Sequence, residues 1–338
     1  PAVAKAAMES GVATRPIEDF KAYEQSLTNF VYQSGIIMKP VFTAAKKIPL
    51  ENKRVLYAEG EDVRVLHAVR AVLDEGLAQP ILIGRPAVIE RRIAKAGLDL
   101  VVGRDFEVVN PEDDPRYREL WQEYHQMMSR DGATEEIARA KLRRDTTLIG
   151  CMLLRRGDAD ALVCGTFGTY DYHLKQVEDV IGLAPGAKRF AAMSVLLLPK
   201  RVLAIADTYV NENPTAEEVA EIAAMAADEL KRFGIAPKIA LLSHSNFGSS
   251  RSASAIKMRE ARNMLVASRP DLECDGEMHA DAALDPDIRD AAVNGSRLSG
   301  EANLLVFPNL DAANMTLGVV KTMMDALHVG PILLGTGM

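Results

Sequence analysis

Among 338 residues there are only three cysteines and one tryptophan. Cys151, Cys164 and Cys274 form no C-x-x-C pair, so neither a zinc site nor a disulfide framework is suggested. A reducing, cytoplasmic setting fits that usage. Basic charge is not in excess: 40 Lys and Arg stand against 47 Asp and Glu, giving a formal net charge of -7 and a pI of about 5.5. A nucleic-acid partner is not expected from such a balance. Long apolar runs are missing too; MSVLLL (193–198) typifies the longest, far short of the roughly 20 residues that span a bilayer, so no membrane partner is expected. No signal-peptide pattern opens the chain. The dinucleotide fingerprint G-x-G-x-x-G is absent after every candidate strand, GLAPGAK (182–188) lacks P-loop spacing, and no H-E-x-x-H occurs.

What is there is a globular chain, 48% hydrophobic and 26% charged, long enough for two domains or one large one. It opens at Pro1 inside a helix-like run and closes on PILLGTGM, so it reads as a piece of a longer protein. Short apolar runs alternate with amphipathic stretches. Strands are predicted at 54–60, 80–84, 106–110, 160–165, 194–199, 202–207, 238–245, 272–277, 303–308 and 331–335. Several are Val/Leu/Ile-rich on both faces, as buried parallel strands are. Between them lie helices such as 62–76, with Val63, Leu66, Val69, Val72 and Leu73 on one face and Gly76 as its stop. Thr215 with Glu218 makes a capping box for a helix that Gly234 ends. The alternation predicts an α/β fold with mostly parallel sheets. SVLLLPKRVLAIAD is the one antiparallel signal, a hairpin around Pro199 that would open a second domain. Residues 1–35 read as a helical connector, punctuated by Gly11, Pro16 and Gly35.

Ligands of open α/β sheets sit outside the carboxyl ends of the strands. That rule selects the loops CGTFGTYDYH (164–173), SHSNFGSSRS (243–252) and FPNLDAAN (307–314). The second runs straight into a helix, where backbone N–H groups can cradle phosphate oxygens. Gly/Ser loops also precede such helices simply as turns and caps. Glu277, His279 and Asp281 would share one face of a strand and suggest a metal, although residues of this kind more often make hydrogen bonds between domains. His244 beside Ser243 and Ser245 is a poor nucleophile–base pair, because neighbours along a strand point apart.

The ordered motifs LYAEGEDVRVLHAVRAVLDEGLAQPILIG, GDADALVCG, NENPTAEEVAEIA, LSHSNFGS, DGEMHADAAL and ANLLVFPNLDAAN resemble the phosphate acetyltransferase/butyryltransferase family from about 53 to 338. The first 42 residues resemble the junction after the dinucleotide domain of bacterial NADP-dependent malic enzymes, which carry a phosphotransacetylase-like domain at their C-terminal end. The resemblance implies two doubly wound α/β domains with a cleft between them: residues 36–185 plus 316–338 as the first and 186–315 as the second. It implies chemistry that makes acetyl phosphate and CoA from acetyl-CoA and phosphate, using arginines and a base. This sequence departs from that pattern. Met128 stands where an arginine is expected, Lys175 replaces another, Phe247 replaces the lysine of the family's S-T-K-G-S loop, and Gly318 stands where a lysine is frequent. The family's late Ser-Arg pair falls beyond Met338. Each lost charge-assisted bond is worth roughly 1.5–3 kcal/mol.

The resemblance therefore implies an oligomerising, regulatory module with no catalytic residue and no resident metal or cofactor. It would bind acetyl-CoA as effector through Gly165, Thr166, Thr169, Lys175, Ser243, Ser245, Asn246, Gly248, Ser249, Asn309, Asp311 and Asn314. NADP and a divalent Mg or Mn ion would belong to N-terminal malic enzyme domains of the same chain. An active phosphate acetyltransferase and a purely structural dimerisation domain are the alternatives. Self-association, at least to a dimer, is expected through helices such as 215–233 and 251–267.

Overall fold

Each predicted strand forms in the computed structural model, which describes residues 2–12, 17, 19–21, 23, 38–199 and 201–337. The strands are β1 (Arg54–Tyr57), β2 (Gln79–Ile83), β3 (Glu107–Val109), β4 (Ala161–Val163) and β5 (Ala191–Leu197). After them come β6 (Val202–Ala206), β7 (Lys238–Leu242), β8 (Glu273–Met278), β9 (Leu304–Val306) and β10 (Leu327–Leu334). They belong to two units: a four-stranded unit of 42–190 plus 335–338, and a six-stranded unit of 191–334 with the described part of 1–41. The mixed α/β class read from the sequence is the class observed.

In the four-stranded unit the order is β3-β2-β1-β4, all parallel. Helices Val63–Asp74 and Pro86–Ala96 cover one face through Leu66, Val69, Ile89 and Ile93. Helices Tyr117–Met128, Glu135–Arg144 and Thr146–Arg155 cover the other through Leu120, Tyr124, Leu142, Leu148 and Met152. The middle strands β1 and β2 are covered on both faces, which is why they lack polar alternation, whereas edge strand β4 leaves Val163 half exposed.

The six-stranded unit has the order β10-β5-β6-β9-β7-β8. Strands β6, β9, β7 and β8 run parallel, and the hairpin expected around Pro199 makes β5 antiparallel to β6. Helices Ala216–Arg232 and Ala253–Ser268 pack on one face, and helix Leu310–Met323 packs on the other. The Thr215 capping box is complete: its hydroxyl accepts from Glu218 N while the Glu218 carboxylate accepts from Thr215 N at 2.7 Å. Thr215→Ala should cost about 1 kcal/mol, read as a melting point lower by about 2–4 °C in calorimetry.

The expected domain boundaries need correction. The strand near 331–335 does not return to the first sheet. It is the end of β10, antiparallel to β5, and Val329, Ile332 and Leu334 pack into the core that β5 shares. Burial beside the apolar strand β5 fixes its place. Thus 316–334 lies in the six-stranded unit, and only the last residues return, through Ala184 N to Gly335 O and Gly337 N to Gly182 O, both 2.9 Å. Helix Ala2–Glu9 falls with the six-stranded unit. The rest of the 1–35 connector, Pro16 and Gly35 included, lies largely outside the described residues.

Candidate functional site

In the four-stranded unit the carboxyl ends of β1 and β4 are joined by one buried carboxylate. Glu59 accepts from Gly165 N at 3.0 Å and from Thr166 Oγ1 at 3.2 Å. His173, also buried, sets the rest of the loop. Its Nε2 lies 2.8 Å from Phe167 O, an atom that only accepts, so Nε2 donates there, while Nδ1 and Thr147 Oγ1 share a hydrogen bond of 2.8 Å. Gly168 has φ +95°, and a Cβ there would stand 3.1 Å from His173 Nε2, so the turn tolerates only glycine. Thr169 caps helix Tyr170–Val180. Burial, with Glu59 nearby, pushes the Cys164 thiol up to about 12, so it is no thiolate nucleophile.

A cavity of about 360 Å³ opens at this edge, lined among others by Glu59, Arg85, Arg92, Arg143, Thr146 and Phe167. Arg85 grips Glu61 with two bonds of 2.8 and 3.0 Å and holds that carboxyl below its usual range. Arg92 and Arg143 are held differently: the first donates to Glu61 O, the second to Pro111 O and Glu112 O. Only Nη1 of each guanidinium bonds to these main-chain carbonyls, which leaves the other N–H groups able to meet an anion. Of the expected residues here, Gly165 and Thr166 meet at Glu59. Lys175 instead pairs with Asp179, one turn on, and does not line the cavity.

In the six-stranded unit the loop 243–250 winds around Glu277, whose side chain has no exposed surface. Glu277 accepts from Ser245 Oγ (2.8 Å), Gly248 N (2.9 Å) and Arg259 Nε and Nη2 (3.0 and 2.9 Å). Burial alone would raise its pKa, but these donors outweigh that and hold the carboxyl below its usual range. The neighbouring amides are used as well. Ser245 N reaches Ser243 Oγ, Asn246 N reaches Ser249 Oγ, Phe247 N reaches Glu277 O and Ser250 N reaches Ser245 Oγ. Asn246 Oδ1 accepts from His279 N at 2.8 Å. The backbone nest read as a phosphate cradle is therefore filled, and the anion it holds is the protein's own. The metal reading of Glu277, His279 and Asp281 loses its geometry, because β8 ends at Met278 and Asp281 lies in helix Ala280–Leu284. Among the described residues no His, Cys, Asp and Glu cluster is arranged for a metal ion. His244 Nε2 meets Ser252 Oγ at 3.2 Å.

The loops after β6 and β9 are laced together. Lys257 Nζ donates to Asn213 Oδ1 at 2.9 Å and Pro308 O at 2.7 Å, and burial pulls its pKa down. Asn314 Nδ2 donates to Thr208 O at 3.0 Å, Asn309 caps helix Leu310–Met323, and Asp311 lies exposed in that helix's first turn. Asp207 organises the loop after β6 by accepting from the amides of Ala192, Tyr209, Val210 and Asn211 at 2.8–3.2 Å. Sequence reasoning passed over this loop. Its signal was an Asp closing an apolar strand just before N-E-N-P.

The model of the family described as phosphate acetyl/butaryl transferase matches residues 36–338. The chain belongs to that family. It is 55% identical over its whole length to an NAD-dependent malic enzyme of Rhizobium meliloti, and 53% identical over 99% of it to an NADP-dependent malic enzyme of Salmonella typhimurium. The chain spans 44% of the length of each. A phosphotransacetylase structure from Streptococcus pyogenes superimposes with a TM-score of 0.79 at 30% identity, covering 88% of this chain and 90% of that one. Within the family frame, the positions expected to be cationic are occupied otherwise. Met128 packs against the core of the four-stranded unit and Phe247 against that of the six-stranded unit.

Proposed function

We propose that this chain is the regulatory and oligomerising phosphotransacetylase-like module of an NADP-dependent malic enzyme, and that it binds acetyl-CoA as an effector without transferring the acetyl group. The parent would convert malate to pyruvate and CO2 with NADPH formation in N-terminal domains of the same chain. NADP and a Mg or Mn ion would be held there, in the cytoplasm. Among the described residues no helix is long and apolar enough to cross a membrane.

The observation that carries the reading is the fate of three positions. Where transfer chemistry calls for fixed cations, the partly buried Met128 and Phe247 pack against cores and Lys175 is paired with Asp179. Anion-binding capacity persists in the N–H donors of Arg92 and Arg143. Product feedback gives the binding a purpose, since pyruvate feeds acetyl-CoA formation.

Calorimetry with acetyl-CoA, run beside a coupled assay for acetyl phosphate, tests the reading. Loss of two or three charge-assisted contacts predicts turnover about 10²–10⁶-fold below that of a working phosphate acetyltransferase. Binding should be measurable and should weaken in Arg92→Ala. Turnover at the level of a working enzyme would establish the transferase alternative, and absence of binding would leave a structural dimerisation domain.

Oligomerisation finds its support on helix Leu310–Met323. Met315, Val319 and Met323 recur every four residues and are 62%, 55% and 79% exposed, with Met324 beside them. A contiguous apolar stripe of this kind marks an association surface.

A further inference from the structure

Helix Pro286–Ala292 and the loop 293–300 line an open pocket of about 440 Å³ that the proposed function does not use. Arg289 lines it and is 2% exposed, the largest side chain among the fully buried ones of the described residues. Its Nη1 donates to Gly300 O at 2.8 Å and its Nη2 to Leu298 O at 3.3 Å. A guanidinium carries five N–H donors, so three are left. Nε is sealed from solvent and has no acceptor. The nearest carboxylate oxygen, Asp290 Oδ1, stands 4.0 Å from Nε on a side chain that is 70% exposed.

Two carbonyl dipoles and one long, solvent-exposed ion pair with Asp290 are thus what compensate a buried full charge. Buried charges are normally matched by an opposite charge as well as by hydrogen bonds. If Arg289 served only to staple the loop, a neutral donor pair would do the same work without that desolvation. The remaining wall is suited to a small organic body, with Pro286, Val293 and Leu298 apolar and the Asn294 carboxamide at the exposed rim.

We propose that this cavity is a binding site for a small oxyanion, the carboxylate of a small acid or a phosphate, with the Arg289 guanidinium as its charge partner. Two in-plane oxygens match the planar fork. Asp290 is the competing group at the entrance, and its removal should favour the ligand.

Thermal melts of the 338-residue chain against malonate and against inorganic phosphate, each compared with sodium chloride at equal ionic strength, test this. The expected result is a saturable rise in melting temperature with at least one of the two, and the pair of titrations tells carboxylate from phosphate. Asp290→Asn should lower the half-saturating concentration severalfold, and Arg289→Met should abolish saturation while the far-ultraviolet circular dichroism is retained. Should Arg289→Met fail to fold, Asp290→Asn decides alone, because an unchanged half-saturation in that variant overturns the site. No saturable rise with either anion, or the same rise in a folded Arg289→Met, overturns it too.

Discussion

Glu277→Ala is expected to destabilise the six-stranded unit by about 3 kcal/mol, among the largest effects of any single substitution in the chain. Truncation leaves the Arg259 guanidinium, the Ser245 hydroxyl and the Gly248 amide without their shared acceptor. The guanidinium side chain is only 36% exposed, so water replaces the lost bonds incompletely. Urea denaturation measures the loss. Arg259→Met should cost a comparable amount, since it strands the buried carboxylate, and the double variant should cost less than the sum because both changes break one network. A cost near zero for both single variants would show the network to be passive.

The same carboxylate sets a pH dependence. Its folded pKa is depressed below the ordinary carboxylate value of about 4.3. The stabilisation is therefore fully present above that value and is lost as pH falls through the folded pKa. Wild type should lose stability on acidification below about pH 4 more steeply than Glu277→Gln does. Parallel acid limbs for the two proteins would contradict this.

Val319→Glu combined with Met323→Glu should raise the dissociation constant of the proposed self-association by about 10²–10⁴-fold. Burying an exposed aliphatic side chain contributes about 1.5–3 kcal/mol, so two of them account for about 3–6 kcal/mol. Carboxylates facing each other across a two-fold axis add repulsion in the same direction. Both positions are largely exposed and not part of a core cluster, so the double variant should keep the wild-type circular dichroism. Sedimentation velocity at micromolar concentration reads the outcome. An unshifted distribution would place the interface elsewhere, and a monomeric wild type would remove the proposal.

Strand positions were legible because a buried parallel strand must be apolar on both faces, and runs such as KIALL admit little else. The partner of a strand was not legible. PILLG carries no mark of which sheet it joins, and its pairing with β5 is set by packing more than 130 residues away in sequence. Helix faces were read to within one position: Val63, expected inside, is 39% exposed, and Val65 is buried instead. The reason is local, since Asp62 caps the helix and turns its first residue outward.

The candidate loops were visible from Gly and Ser at strand ends, but their commitments were not. Glu277 lies 29 residues from Gly248 in an acidic run that invites a metal, and only the fold shows it to be the counter-ion of Arg259. Arg92 and Arg143 come from two different helices and gain a common cavity only when the sheet assembles. Helix Ala216–Arg232, expected to take part in association, spends Val219, Ile222, Ala223 and Leu230 on its own core.

Strand β10 bears on how the chain behaves while it is being made. β5 is seven residues of AAMSVLL, fully buried, with no charge and no proline, and β10 alone covers one of its edges. A ribosome therefore finishes β5 some 130 residues before the segment that shields it leaves the exit tunnel. Through that interval the nascent six-stranded sheet presents an unprotected apolar border, the kind of template on which stray strands add. Chain shortening that removes Leu327–Leu334 makes the interval permanent, so its consequence belongs to solubility and chaperone demand before it belongs to ligand binding.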